Sequence, residues 1–212
     1  VTDQAVQPGL RERKRLATRR AIRMAVLSLA LERGFENVTV DDISRQADVS
    51  PRTFFNYFAS KEDAILGDPP LVADDALVEE FIAGGRDTGD DPHALLDDLG
   101  DLLATASHDA EPERAVVQLR KQLLRQHREL MHRRLATMRA FEEALMEIVL
   151  RRLEVQTGTP ASDPALRARA HLVTLVAFAA VRHAWANWVE QEGGDLQDFV
   201  RQAFTDLRTV VS

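Results

Sequence analysis

Three helix starts crowd into the stretch from Thr39 to Asp63, and no other feature of this 212-residue chain narrows its fold as much. Thr39 is a preferred N-cap residue, and Asp42 three positions later completes a variant of the capping box. Val40, Ile43 and Ala47 give the short helix that follows its inward side, and it stops before Val49. Ser50 caps the next helix, with Pro51 in the first position, where a missing N–H costs nothing. Ser60 caps a further one that opens Lys61-Glu62-Asp63. Starts this closely spaced mean a compact tri-helical unit.

Upstream, Ile22, Ala25, Val26, Leu29 and Ala30 recur at the spacing of one buried helix stripe. Arg19, Arg20 and Arg23 lie elsewhere on the wheel, and Gly34 suits the C-terminal cap. Val1 to Gly9 has no period and reads as a loose tail. Downstream, a Pro69-Pro70 break precedes helices predicted near Val72–Ala83 and over Pro92–Ser107, Pro112–Gln126, Arg128–Gln156, Pro164–Glu192 and Leu196–Val211. Asp91, Asp163 and Asp195 are the expected caps, and Gly84 to Asp91 a polar loop. Period-2, β-branched runs are scarce, so the expected class is all-α with about nine to ten helices. The expected division is an N-terminal tri-helical domain over 10–66 and a C-terminal helical domain over 67–212.

A net charge of −7 would argue against nucleic acid if it were spread evenly. Up to Lys61, however, eleven Lys or Arg stand against seven Asp or Glu, so the head is +4 and the remainder −11. A basic head and an acidic body fit a protein that meets DNA with one end, although solvated helix faces would give the same pattern. With no cysteine there is no disulfide, thiolate metal site or thiol nucleophile. No acid–base pair or phosphate-cradling glycine loop stands out, and His127 and His132, five residues apart, fall off a common face. Neither catalysis nor a cofactor is expected. The N-terminus lacks a charged-then-apolar leader, and the longest apolar run, Leu172 to Val181, is about half of a ~20-residue span. A cytoplasmic protein without membrane contact is therefore expected.

On the helix from Pro51 to Phe58, steps of about 100° per residue put Phe54 and Phe58 on one side. If these face the core, Arg52 and Asn56 point away from it, flanked by Phe55 and Thr53. Major-groove readout uses such a face: Arg pairs with guanine, Asn with adenine, and an aromatic ring meets the thymine methyl. Phe55 has a second reading, as packing against a neighbouring helix. Thr39, Ser50 and Thr53 add hydroxyls at helix starts, while Tyr57 and Lys61 add a phenol and a cation, all suited to phosphates. The link Asp48-Val49-Ser50 is compatible with the sharp turn of a helix-turn-helix, whose second helix enters the groove.

These features, taken in order, resemble the TetR family of one-component bacterial regulators. The likeness runs from Arg11 to Leu66 and rests on Arg19-Arg20, Glu32-Arg33-Gly34-Phe35, Thr39-Val40-Asp41-Asp42-Ile43, Ala47-Asp48-Val49-Ser50, Phe54-Phe55-Asn56-Tyr57-Phe58 and Ser60-Lys61-Glu62. The resemblance implies a homodimer with a DNA-binding domain common to the family and a variable ligand-binding and dimerisation domain. It implies a ligand-responsive repressor that holds double-stranded operator DNA of palindromic sequence and is released by a small molecule. Many members carry glycine or another small residue where this chain has Arg52, so base preference does not carry over.

In the body, Met131, Leu135, Met138, Phe141, Leu145 and Ile148 share one side of a long helix. The helix from Pro164 is apolar nearly all round, so burial on two sides is expected. Val173, Ala177, Ala180 and Ala184 make a small-residue stripe for close helix approach, and Leu175, Phe178, Arg182 and Trp185 a larger, mixed one. In the family this position joins the last helix, here with Leu196, Phe199, Val200, Ala203, Leu207 and Val210, in a four-helix dimer interface. A ligand pocket lined by Met131, Met138, Phe141, Phe178, Arg182 and Trp185 is the functional reading of the remaining faces, and plain core packing the other. The body also looks like the actinobacterial subgroup with acyl-CoA-like ligands, which includes the mycofactocin regulator, so the expected effector is an elongated apolar anion such as an acyl-CoA. A helical enzyme and a ligand-independent DNA-organising protein are the alternatives.

Overall fold

The structure, a computed structural model, describes residues 9–67, 73–84, 94–109, 113–191 and 193–211. Among these it contains ten α-helices, one 3-10 turn and no strand. In chain order they are α1 (Leu10–Arg33), the 3-10 turn η1 (Phe35–Asn37), α2 (Val40–Gln46), α3 (Pro51–Tyr57), α4 (Lys61–Leu66), α5 (Asp75–Ala83), α6 (Ala94–Asp109), α7 (Arg114–Gln126), α8 (Arg128–Thr157), α9 (Pro164–Glu190) and α10 (Leu196–Val211). The Pro69-Pro70 break, most of the Gly84 to Asp91 loop, and the helix ends at Pro92, Pro112 and Glu192 lie outside the described residues.

The caps set the short helices. The Thr39 hydroxyl accepts from the Asp42 N–H at 3.2 Å, and the Asp42 carboxylate accepts in return from the Thr39 N–H at 3.2 Å. Ser50 Oγ accepts from the Thr53 N–H at 3.0 Å, and Ser60 Oγ from the Asp63 N–H at 3.1 Å. Between α2 and α3 the chain reverses through Asp48, whose φ is +53°. The Val49 N–H donates to the Ser44 carbonyl at 2.9 Å and the Asp48 N–H to the Arg45 carbonyl at 3.4 Å, so the last carbonyls of α2 are closed in a Schellman arrangement.

The described chain forms two compact units, Val1–Asp68 with Ala115–Arg134, and Pro69–Arg114 with Leu135–Ser212. The first is not the contiguous head expected over 10–66. Its core joins Ile22, Val26, Leu29, Ile43, Phe54, Phe58 and Ile65 to Val116, Leu123, Leu124 and Leu130 of α7 and α8. Short helices alone leave one side of this core open, and the strongly amphipathic α7 closes it. Arg120 adds a hydrogen bond from Nε to the Ile65 carbonyl at 2.7 Å, satisfying the end of α4. Met131, expected in a ligand pocket, is packed against this first core instead.

In the second unit α10 packs against α6 and α9. Gly100 permits the α6 approach: a Cβ there would lie 2.8 Å from Phe204 Cγ. Asp163 caps α9 by accepting from the Leu166 N–H at 2.9 Å. Burial along α9 follows Leu166, Ala170, Thr174, Ala177, Ala180, Ala184 and Trp188, a single stripe. The expectation of two buried sides therefore fails in the single chain, and Ala177, Ala180 and Ala184, expected to face a partner, are spent inside the unit. By length and composition alone α9 would suffice to cross a membrane, and within the unit it buries this one stripe. Arg152 of α8 is fully buried, its guanidinium held by Asp98 and by the Phe81 carbonyl, with the Phe81 ring 5.1 Å away. A charge survives such burial only with partners of this kind.

Candidate nucleic-acid interface

Helix α3 is held by one side and open on the other. Phe54 is completely buried and Phe58 nearly so, their rings 6.1 Å apart in the first core. The guanidinium carbons of Arg19 and Arg23 on α1 lie 4.8 and 5.5 Å from the Phe58 ring centre, which fixes the helix end against α1. Arg52, Phe55 and Asn56 are exposed, and Phe55, at 57% exposure, does not pack into a neighbouring helix. It meets Phe54 edge to face at 5.4 Å. A large ring left in water beside an arginine and an asparagine on a rigid helix is an arrangement that costs solvation unless a partner covers it.

The residues assigned to phosphates fall into different circumstances. Thr39 is exposed, but its hydroxyl proton is directed at the Asp42 carboxylate at 2.6 Å. These hydrogen bonds from Thr39, side chain first and backbone second, hold the Asp42 carboxyl below its ordinary range. Ser50 and Thr53 share a hydroxyl contact of 2.8 Å. Tyr57 is half-buried against the core. Lys61 is also half-buried and has a structural role: Nζ donates to the Phe35 carbonyl at 2.9 Å and the Val38 carbonyl at 3.0 Å, above the Phe35 ring at 4.3 Å. Two of its three N–H donors are thereby engaged.

The residues assigned to a ligand divide similarly. Phe141 and Phe178 do meet, with ring centres 6.2 Å apart, and Met138 is half-buried on the same helix as Phe141. Trp185 is half-buried against Trp188 at 5.7 Å. Arg182 is exposed, so the buried cation of the second unit is Arg152, which sequence spacing did not single out. Among the described residues no group of His, Asp and Glu side chains gathers to hold a metal ion.

The partition into units also sharpens the charge asymmetry. The first unit carries seventeen Lys and Arg against eleven Asp and Glu, a net +6, and the second ten against twenty-three, a net −13. Dividing the sequence at Lys61 hides part of this, because a basic run returns in α7 and α8.

Residues 22–65 match the family described as bacterial regulatory proteins, tetR family. The chain is also 42% identical over 87 residues to the HTH-type transcriptional regulator TcmR of Streptomyces glaucescens, a match covering 40% of this chain and 36% of that protein. It thus spans only about a third of the length of this curated relative. Among solved structures, a transcriptional regulator (TerR/AcrR family) of Aquifex aeolicus is 15% identical, with 92% of this chain and 99% of that one covered and a TM-score of 0.47. The fatty acid degradation regulator FadR of Bacillus halodurans is 17% identical, covering 89% and 93%, with a TM-score of 0.46. Thermus thermophilus FadR, solved with lauroyl-CoA, is 25% identical, covering 91% and 93%, with a TM-score of 0.38. With every score below 0.5, the assignment rests on the N-terminal match.

Proposed function

We propose that this chain, whose residues 22–65 match the family of bacterial regulatory proteins, tetR family, is a cytoplasmic, ligand-responsive repressor that binds a palindromic operator as a homodimer. The observation that carries the reading is the open face of α3, where Arg52, Phe55 and Asn56 stand in solvent while Phe54 and Phe58 lock the helix from behind. Arg52 and Asn56 read base edges, Phe55 meets a thymine methyl, and Thr39, Ser50, Thr53, Tyr57 and Lys61 line the phosphate contacts. The matched family and the matched relative are described as regulators, and neither is an enzyme.

The second copy docks on the exposed edge of α9, where Ala168, Leu172, Leu175 and Ala179 run at helical spacing with Leu172 at 63% and Leu175 at 42% exposure. An apolar stripe of this length is costly in water and matches itself across a two-fold axis. The effector occupies the second unit beside Phe141 and Phe178, and the apolar character of that pair favours an elongated apolar molecule such as an acyl thioester or fatty acid.

The test is binding to a palindrome selected from a random pool by the protein itself, against a scrambled duplex, with and without acyl-CoAs, free fatty acids and planar cationic drugs. Tight, palindrome-specific binding that acyl compounds weaken about 5- to 150-fold, the range of a coupling of ~1–3 kcal/mol, is the expected result. Equal binding to both duplexes would identify a DNA-organising protein, and release by the cations alone would overturn the effector class.

A further inference from the structure

The basic run in α7 and α8 has no part in base reading. Residues 115–134 hold six Lys or Arg and one Glu, in a chain whose overall charge is negative. Arg120 of this run is committed to the end of α4. Lys121, Arg125, Arg128 and His132 are all exposed, and among the described residues none of the four has an ion-pair partner.

Their placement only partly suits the helices that carry them: Arg125 stands in the last turn of α7, where the dipole favours a cation, but two other placements do not. Lys121 and Arg125 are four apart on α7, a like-charge neighbour pair that destabilises a helix. Arg128 is the first residue of α8, where the positive end of the helix dipole repels a cation. Helix stability therefore accounts for Arg125 but not for Lys121 and Arg128, which an anionic partner would explain. The corner between α7 and α8 also lies close to Lys61, one of the residues assigned to phosphates. The Phe35 ring that lies 4.3 Å from the Lys61 ammonium meets the His127 ring at 5.9 Å, edge to face. A single aromatic pair thus separates the start of α4 from the corner that bears Arg125 and Arg128.

We propose that the α7–α8 corner is a second phosphate-binding surface, through which Lys121, Arg125 and Arg128 hold duplex DNA flanking the site that α3 reads. The ligand class is the sugar–phosphate backbone, without base specificity, since these are point charges and forks on an exposed ridge with no groove-entering helix face. The inference rests on the proposed DNA-binding reading of the first unit.

The test uses the full chain and a palindrome selected from a random pool, prepared as a short duplex and with about one further helical turn on each side. Wild type is expected to bind the extended duplex more tightly and with a steeper salt dependence. The variant K121Q/R125Q/R128Q should bind the short duplex as wild type does and gain nothing from the flanks. Its salt slope on the extended duplex should be shallower by about 0.9 for each phosphate that the removed cations neutralise in wild type. Arg128→Gln alone provides a milder version with the same sign. Equal flank gain and equal slopes in wild type and variant would overturn the proposal while leaving DNA binding intact. Failure of wild type to prefer the selected palindrome over a scrambled duplex would overturn the underlying DNA reading instead.

Discussion

Asp48 lets α2 end and α3 begin with only four residues between them, and it does so with a left-handed backbone that most side chains resist. A β-branched residue has no local hydrogen-bonding compensation there, so Asp48→Val should lose about 1–2 kcal/mol in chemical denaturation, while Asp48→Gly should be neutral or stabilising. Lys61 carries two carbonyls as well as its charge. Lys61→Met should therefore lower both DNA affinity and fold stability, the latter by about 1–3 kcal/mol, whereas Arg52→Ala should lower affinity alone. Asp42 gives a pH signature. Its folded pKa lies below the unfolded value of about 3.9, so its contribution is present above that value and is lost as pH falls through the depressed one. Thr39→Val removes the larger of the two causes together with the cap itself, so the stability gap between wild type and Thr39→Val in urea titrations should be smaller at low pH and widen above it. Identical curves at every pH would refute this role for the cap.

Helix α9 shows what a sequence can and cannot reveal about an element. Its start at Pro164 follows from Asp163 and the proline, because capping chemistry is local. Its facing does not, because a helix apolar nearly all round has no period to read, and only the packing of α6 and α10 assigns Ala177, Ala180 and Ala184 to the inside. The same limit misplaces Met131, whose stripe on α8 continues from one core into the next and carries no mark of the change. On α3 the sequence reaches further, since Phe54 and Phe58 are so much more apolar than Arg52 and Asn56 that the helix has one way to sit. Two substitutions separate the faces of α9. Leu172→Glu should leave the protomer folded and give monomers in sedimentation velocity, while Ala180→Glu should destabilise the protomer itself by burying an unpaired carboxylate. A Leu172→Glu protein that remains dimeric at micromolar concentration would place the partner elsewhere.

Across the whole chain, charge is sorted by unit, +6 in the one that carries α3 and −13 in the other, so that a protein of net charge −7 still contains one basic unit, as the proposed DNA binding requires. The sorting is only half legible in the sequence, because α7 and α8 return to the first unit after an excursion of more than forty residues and bring their cations with them. Sequence-specific recognition by α3 is the claim on which the rest depends. The direct measurement is the affinity of wild type and of Arg52→Ala/Asn56→Ala for the selected palindrome and for its single base-pair variants at fixed salt. Wild type should lose about 1–3 kcal/mol for mismatches at the positions α3 reads, and the folded double variant should bind all these duplexes alike and weakly. Discrimination that survives unchanged in the double variant, or is absent from wild type, would contradict the account.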